Sequence, residues 1–365
     1  MNPETLRPRL DAEHVALHEV VSSFCARSIA VESESDEATS SASRRALVDQ
    51  GLWTVSTPVD LGGSGGSLLS SAVVWEGLGR SAPSLALSSV HTQAAISILC
   101  EHPKWYEKVR ELSLGKQAAI VDMASTSNTL CLGREDGVRL SGHIGRIDSA
   151  GGSPTLVVMG SGEEMATAVV IEPEQIDFGT PLRRTGLPGA ETRSAFIFDE
   201  GLSQESVLAP AHCWRARLVF RIGVAAILCG IAAVAHEQAV AYAAQRKQFG
   251  APLLALPAVH SMVSKNGDLL RRCVQDVLEV AARSDLGESA SYASAAMLGA
   301  VSQASILIAD GSLQIHGGYG YLREYNIEGH LRNVLSLCAA SGAQETQDEA
   351  VLRFDSLAAH SEKLP

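Results

Sequence analysis

Gln314-Ile-His-Gly-Gly-Tyr-Gly320, continuing through Tyr321-Leu-Arg-Glu-Tyr-Asn326, decides how this chain is read, together with Arg246-Lys-Gln-Phe-Gly250 upstream of it. Each segment has an ordinary reading. Paired glycines stop a helix, and a helix that ends in cations followed by glycine suits the negative end of its dipole. Each also has a ligand reading. Glycines let backbone N–H groups approach a phosphate closely, and an arginine offers a forked pair of donors to a diphosphate with an aromatic ring beside it.

Outward from these segments the chain falls into three compositional zones. Up to about Leu112 it is rich in Ala, Ser, Leu and Glu, with apolar residues at helical spacing. Val15, Leu17, Val20, Val21, Phe24 and Cys25 share one face of a first helix, and Val73, Val74, Trp75 and Leu78 share a face of another over Ser70–Arg80. Between them lies the glycine-rich turn Pro58–Gly66. From Lys116 to Pro210 short runs such as Gly137–Gly142, Thr155–Met159, Thr167–Ile171 and Ser194–Phe198 alternate with turn residues, which predicts a small antiparallel barrel or sandwich. From Cys213 onward Leu218–Gln245, Val259–Ser284, Tyr292–Gly317 and Gln344–Ala359 have helical periodicity. The predicted organisation is an α domain over 1–114, a β domain over 115–211 and an α-helical bundle over 212–365.

Composition narrows the function. Of 365 residues 46% are hydrophobic and 19% charged, enough apolar material for a large core. The 41 acids against 29 bases give a net charge of −12, which disfavours non-specific nucleic-acid binding. Seven scattered cysteines lack metal-ligand spacing and read as reduced thiols of a cytoplasmic protein. The N-terminal residues have no apolar leader, and Ile222–Ala235 covers only about 21 Å of helix against a hydrocarbon core of about 30 Å, so no membrane association is expected. No GxGxxG turn follows a strand, so a nicotinamide dinucleotide site is disfavoured.

The two glycine-bearing segments, in this order, resemble the C-terminal half of the acyl-CoA dehydrogenase superfamily. The likeness runs through most of the chain: Gly51-Leu52 with Pro58–Gly65, Leu140–His143 with Arg146–Ser149, and Gly186–Asp199 sit where that family has its own motifs. The resemblance implies an N-terminal helical domain, a middle antiparallel β-barrel, a C-terminal four-helix bundle and FAD held at a subunit interface of a homodimer or homotetramer. It places Arg246 and Phe249 on the diphosphate and adenine side. Gln314, Gly317 and Gly318 of a neighbouring subunit hold the ADP half, and Arg146, Ile147 and Asp148 face the flavin.

The departures from that pattern bear on the chemistry. The family's catalytic glutamate before a Gly-Thr pair falls on Ser341, and its alternative position, just before the arginine matched by Arg221, is Phe220. A serine hydroxyl is too weakly basic to abstract an α-proton. Arg146-Ile-Asp148 replaces a Trp-Ile-Thr segment, and Val121-Asp-Met123 replaces a Thr-Glu-Pro turn. Three readings stay open: a dehydrogenase with a relocated carboxylate, for which Glu345 is one candidate; a flavoenzyme oxidising a carbinol, with Ser341, Arg221 and Asp148 as candidate catalytic residues; and a silent partner subunit. The compact, base-less form resembles acyl-ACP dehydrogenases of polyketide and antibiotic biosynthesis, which oxidise a glyceryl-type unit toward hydroxymalonyl-ACP for methoxymalonyl extender units. That resemblance implies an acyl carrier protein or CoA thioester substrate, and a flavoprotein or oxygen as electron acceptor. An acidic carrier needs a local basic patch, for which Arg183-Arg184 and Arg271-Arg272 are the candidates.

Overall fold

The computed structural model describes residues 10–29, 37–133, 138–160, 167–201, 203–288 and 290–342. Five helices come first: α1 (Ala12–Ser28), α2 (Glu37–Asp49), α3 (Leu68–Gly79), α4 (Pro83–Leu99) and α5 (Tyr106–Ser113). Asp11 caps α1 by accepting from the His14 amide at 2.9 Å, and Ser67 caps α3 by accepting from Ser70 N, also at 2.9 Å. Val21, Phe24 and Cys25 of α1 are buried as the periodicity predicts, but Val20 points to solvent. Position 20 lies about 100° around the helix from Val21, and the buried stripe of α1 is narrow. α4 is different in kind. Pro83 starts it at the position that needs no N–H, and 16 of its 17 residues are buried.

The middle segment contains β1 (Ala118–Asp122), β2 (Asn128–Gly133), β3 (Arg139–Ser149), β4 (Thr155–Met159), β5 (Ala168–Ile171), β6 (Asp177–Phe178), β7 (Leu182–Arg183), β8 (Glu191–Gly201) and β9 (Val207–Leu208). They form two sheets, ordered β1-β4-β5-β9 and β2-β3-β8-β6, with β7 on β8. Two sheets fit the sandwich alternative rather than a closed barrel, and one pair corrects the expected antiparallel arrangement: β1 pairs with β4 in parallel. The chain leaves β1 for the other sheet, makes the β2–β3 hairpin there, and returns beside β1 running the same way. Leu140, Ile144, Ile147, Leu156, Val158 and Ile171 fill the core between the sheets.

Four long helices follow: α6 (Cys213–Gln245), α7 (Pro257–Asp285), α8 (Ser291–His316) and α9 (Ile327–Ser341). A two-strand hairpin, β10 (Lys247–Gln248) and β11 (Ala251–Pro252), separates α6 from α7. α6 runs 33 residues, longer than its apolar run suggests, and together with α8 it has the length and apolarity to cross a bilayer. Most of the apolar surface of α6 is instead covered by protein, because α3, α4, α7 and α8 all pack on it. A single core therefore includes Trp75 of α3, Leu87 of α4, Ile227 of α6 and Leu298 of α8. The helix expected over Gln344–Ala359 lies outside the described residues. α9, which the periodicity did not single out, takes a central place.

Candidate functional site

Two constellations emerge. The first is at the far end of α6. Arg246 ends that helix, and the β10–β11 hairpin turns at Phe249 and Gly250, both with positive φ (53° and 81°). Two such residues suit a two-residue hairpin turn, but a phenylalanine in that conformation is strained. Its ring is 92% exposed. A strained backbone that holds an apolar ring in water marks a binding element rather than a packing one.

Beside it, α8 ends at His316, whose Nδ1 lies 2.9 Å from the Ser312 carbonyl oxygen, a hydrogen bond made by its Nδ1–H tautomer. The imidazole stacks on Tyr242 of α6 at 4.3 Å, and Tyr325 closes on both rings edge-on. The helix then breaks at Gly317 (φ 56°, ψ −137°), a backbone conformation open essentially to glycine alone. A Cβ on Gly317 or Gly318 would meet nothing within 4 Å, so these backbone groups border open space. Gln314, Gly317 and Gly318 are exposed, and the Arg246 guanidinium lies over the Tyr319 ring at 5.0 Å with no carboxylate partner among the described residues. A forked cation, bare backbone and an unshielded ring share one end of the bundle. That set can hold a diphosphate with an attached aromatic base.

The second constellation is where β3 meets the helices. A β-bulge inserts one residue between Ile144 and Ile147 opposite β8, so both isoleucines face the β core. The side chain of Ile147 therefore lies in the β core, leaving only its backbone toward the other side of the strand. Arg146 and Asp148 emerge on the other side. Arg146 Nε donates to Asp148 Oδ2 at 2.6 Å, and the Thr192 hydroxyl donates to Asp148 Oδ1 at 2.6 Å. Asp148 is 6% exposed, so this is an enclosed ion pair and not a solvated surface. With both oxygens engaged, Asp148 is a poor proton relay.

Arg146 also reaches Ser336 of α9 at 3.5 Å, across a cleft of about 490 Å³. Arg184, Thr185 and Gly186 form one wall, and Arg332, Leu335, Ser336 and Ala339 of α9 the other. The Leu187 amide donates to Asn333 Oδ1 at 2.8 Å and holds the β7–β8 connection against α9. The cleft thus has a partly apolar floor and cationic edges, a charge suited to a ligand that presents hydrogen-bond acceptors or negative charge at its rim.

The expected catalytic positions are poorly placed for proton work. The Ser341 hydroxyl donates to the Cys338 carbonyl oxygen of its own helix at 3.0 Å. Arg221 donates to the Ser291 carbonyl oxygen at 3.4 Å. Asp122 is held by Arg217 through two bonds of 2.5 and 2.9 Å, which neutralises the acid that replaces the expected turn glutamate. Glu345 lies outside the described residues. Phe220 packs at 4.8 Å against His91 of α4, a residue that the sequence did not flag. Burial drives the His91 pKa down to about 4; the Arg146 charge adds to that effect, and Asp148 opposes it. Thr192, Arg332 and Ser336 were also missed, since nothing local distinguishes them from ordinary strand and helix residues.

Residues 11–104 match the acyl-CoA dehydrogenase N-terminal domain, and residues 218–354 match the acyl-CoA dehydrogenase C-terminal domain. The chain is 26% identical over 332 residues to a 3-(aryl)acrylate reductase of Clostridium sporogenes, covering 84% of this chain and 87% of that protein. It superposes on the prolyl acyl carrier protein oxidase AnaB with a TM-score of 0.85 at 19% identity, over 95% of this chain and 99% of the other. On butyryl-CoA dehydrogenase from Megasphaera elsdenii the TM-score is 0.80 at 21% identity, over 94% and 99%. With its helical, β and helical parts in that order, and with both terminal domains matched, the chain belongs to the acyl-CoA dehydrogenase superfamily.

Proposed function

We propose that this chain is a FAD-dependent oxidoreductase acting on a short, polar acyl thioester carried on an acyl carrier protein, performing one two-electron step within the glyceryl-to-hydroxymalonyl conversion used for polyketide extender units. Bound FAD supplies the hydride acceptor. The residues present fit it: Arg246 has no ionic partner among the described residues, Phe249 is a bare ring, and a Cβ at Gly317 would meet only open space. Arg246, Phe249, Gln314, Gly317 and Gly318 share one end of the bundle and would together hold the diphosphate and ADP half, at an interface with a second copy of this chain. The cleft bounded by Arg146 and Ser336 receives the ring. A flavoprotein or oxygen would be the final electron acceptor.

The observation that carries the substrate reading is the enclosed Arg146–Asp148 pair, beside positions where both carboxylate bases are replaced, by Ser341 and Phe220. A saturated acyl chain needs a base for its α-proton, and no carboxylate occupies either site. Oxidation of a carbinol to the aldehyde would release a hydride from carbon and an O–H proton that solvent water takes up, so it needs no carboxylate at either position, and a polar pocket tolerates the hydroxyl. The likeness to AnaB, whose name places its substrate on a carrier protein, supports the carrier part of the reading.

Anaerobic mixing tests it. A glyceryl thioester on a carrier protein should bleach the flavin faster than butyryl- or octanoyl-CoA. Rapid bleaching by a plain acyl-CoA would return the relocated-base reading. A protein that gains flavin only beside a paralogue would make this chain the silent subunit.

A further inference from the structure

His91 occupies an unusual place. It is on α4, 9% exposed, with its ring 4.8 Å from Phe220, and it feels the charges of both Arg146 and Asp148. Its Nδ1 is buried and has no hydrogen-bond partner among the described residues. Buried polar atoms are nearly always satisfied, and one left unpaired costs stability unless something absent from the chain completes it. His236 also has unpartnered ring nitrogens, but it is wholly enclosed by the helical core, where a ligand has no entry. His91 instead sits at the junction of α4, α6 and β3, against the residue that replaces a carboxylate and beside the ion pair that borders the cleft.

Neutral imidazole can either donate or accept at Nδ1, depending on tautomer, and a hydroxyl can do the reverse. Phe220 supplies an apolar wall that cannot compete for that bond. Asp148 accepts one bond on each oxygen, from Arg146 and from Thr192, which fixes the plane of its carboxylate.

We propose that His91 is a substrate-recognition residue whose Nδ1 hydrogen-bonds a hydroxyl on the bound acyl group, so that the pocket selects hydroxylated over plain alkyl acyl chains. This rests on the proposed reading of the site as an acyl thioester pocket and adds the residue that sets its selectivity. A site built around such a bond rejects the analogue lacking the hydroxyl, because the imidazole nitrogen is then left buried and unpaired.

The test is equilibrium binding to the flavin-loaded protein, read by calorimetry, with two unreactive probes: the pantetheine amides of glyceric acid and of propionic acid. The wild type should bind the glyceryl amide at least about 10-fold more tightly. His91→Phe should bring the two affinities within about twofold, and His91→Gln, which keeps a side-chain hydrogen-bonding group, should restore part of the preference. A His91→Phe protein that keeps its flavin and the full preference overturns the proposal. So does a His91→Gln protein with no more preference than His91→Phe. A wild type that binds the propionyl amide as well or better overturns the polar-substrate reading itself. A wild type that holds no flavin overturns the cofactor reading, and the two failures are thereby told apart.

Discussion

Gly186 lies so close to Arg332 that a Cβ on it would overlap the Arg332 carbonyl oxygen and press on Ser336 Cβ. The β7–β8 connection and α9 therefore meet backbone to backbone, and both walls of the cleft depend on that approach. Gly186→Ala should push them apart at a cost of about 1–3 kcal/mol, the usual range for overpacking. A lower thermal midpoint together with weaker flavin retention is the expected result. An unchanged midpoint would mean that the loop yields easily and does not define the cleft.

Arg246→Ala removes the forked donor over Tyr319 while leaving the aromatic cluster of Tyr242, His316 and Tyr325 intact. Truncating the partner of a buried diphosphate costs about 2–5 kcal/mol. The purified variant should lose its yellow colour on dialysis, as measured by absorbance near the flavin bands against protein. Full retention of flavin would remove Arg246 from the cofactor site.

Two buried histidines make the fold acid-sensitive above the carboxylate range. His91 and His330 are both pushed down to about 4 by burial, against an ordinary 6.5. Because the unfolded chain takes up these protons first, the stability they contribute is complete above pH 6.5 and is lost as pH falls toward 4. The loss is up to about 3 kcal/mol per histidine. Urea unfolding between pH 7.5 and 5 should show this slope, and His91→Phe should make it shallower. An identical slope in the variant would mean that His91 titrates normally.

Glu76 joins three helices through His18 of α1 at 2.9 Å and Arg80, which also bonds Glu237 of α6 at 2.6 Å. Burial alone would raise its pKa, yet His18 and Arg80 together hold it below the usual value. Its stabilisation is thus present above the ordinary glutamate pKa and fades as pH falls through the lower folded value. Glu76→Gln should destabilise the protein at pH 7 by about 1–3 kcal/mol, the range for losing hydrogen bonds to a partly buried charge, and less at pH 3. Equal destabilisation at both values would assign the effect to packing.

Carrier docking is testable at Arg271 and Arg272, both exposed on α7, with Arg271 bonded to Asp268 at 2.7 Å. Reversing the pair to glutamate should slow turnover of a carrier-bound substrate at low salt, with the defect shrinking as salt is added. Flavin content should stay unchanged. No effect at low salt would move docking elsewhere, for instance to Arg184 at the cleft edge. The side chain of Arg183, its sequence neighbour, lies outside those described.

The glycine-bearing segments were legible because glycine and arginine chemistry is local: Gly317 needs its backbone conformation whatever surrounds it. The strands over 155–159 and 168–171 were legible from their turns. α4 was not, because a helix buried on every side has no polar face and so no period to read. The β1–β4 parallel pair was invisible because strand direction is set by where the chain returns, not by the composition of either strand. His91 was missed for the same kind of reason as α4. Its significance comes from Phe220, Arg146 and Asp148, which are contributed by elements far from it in sequence.

The helical core is discontinuous along the chain: α3 and α4 pack on α6, and the whole two-sheet segment intervenes between Leu99 and Cys213. During synthesis the first helices therefore emerge with their apolar surfaces uncovered, and they stay so until the β segment has been made and α6 follows it. The sheets interleave their strands in sequence, so neither can close before β8 and β9 arrive. Assembly is in this sense a matter of waiting. The core between the sheets closes only then, and the outer face of β1, β4 and β5 joins the helical core through Ile120, Val157 and Val170, so sheets and helices acquire stability jointly, through contacts of long sequence separation that close late.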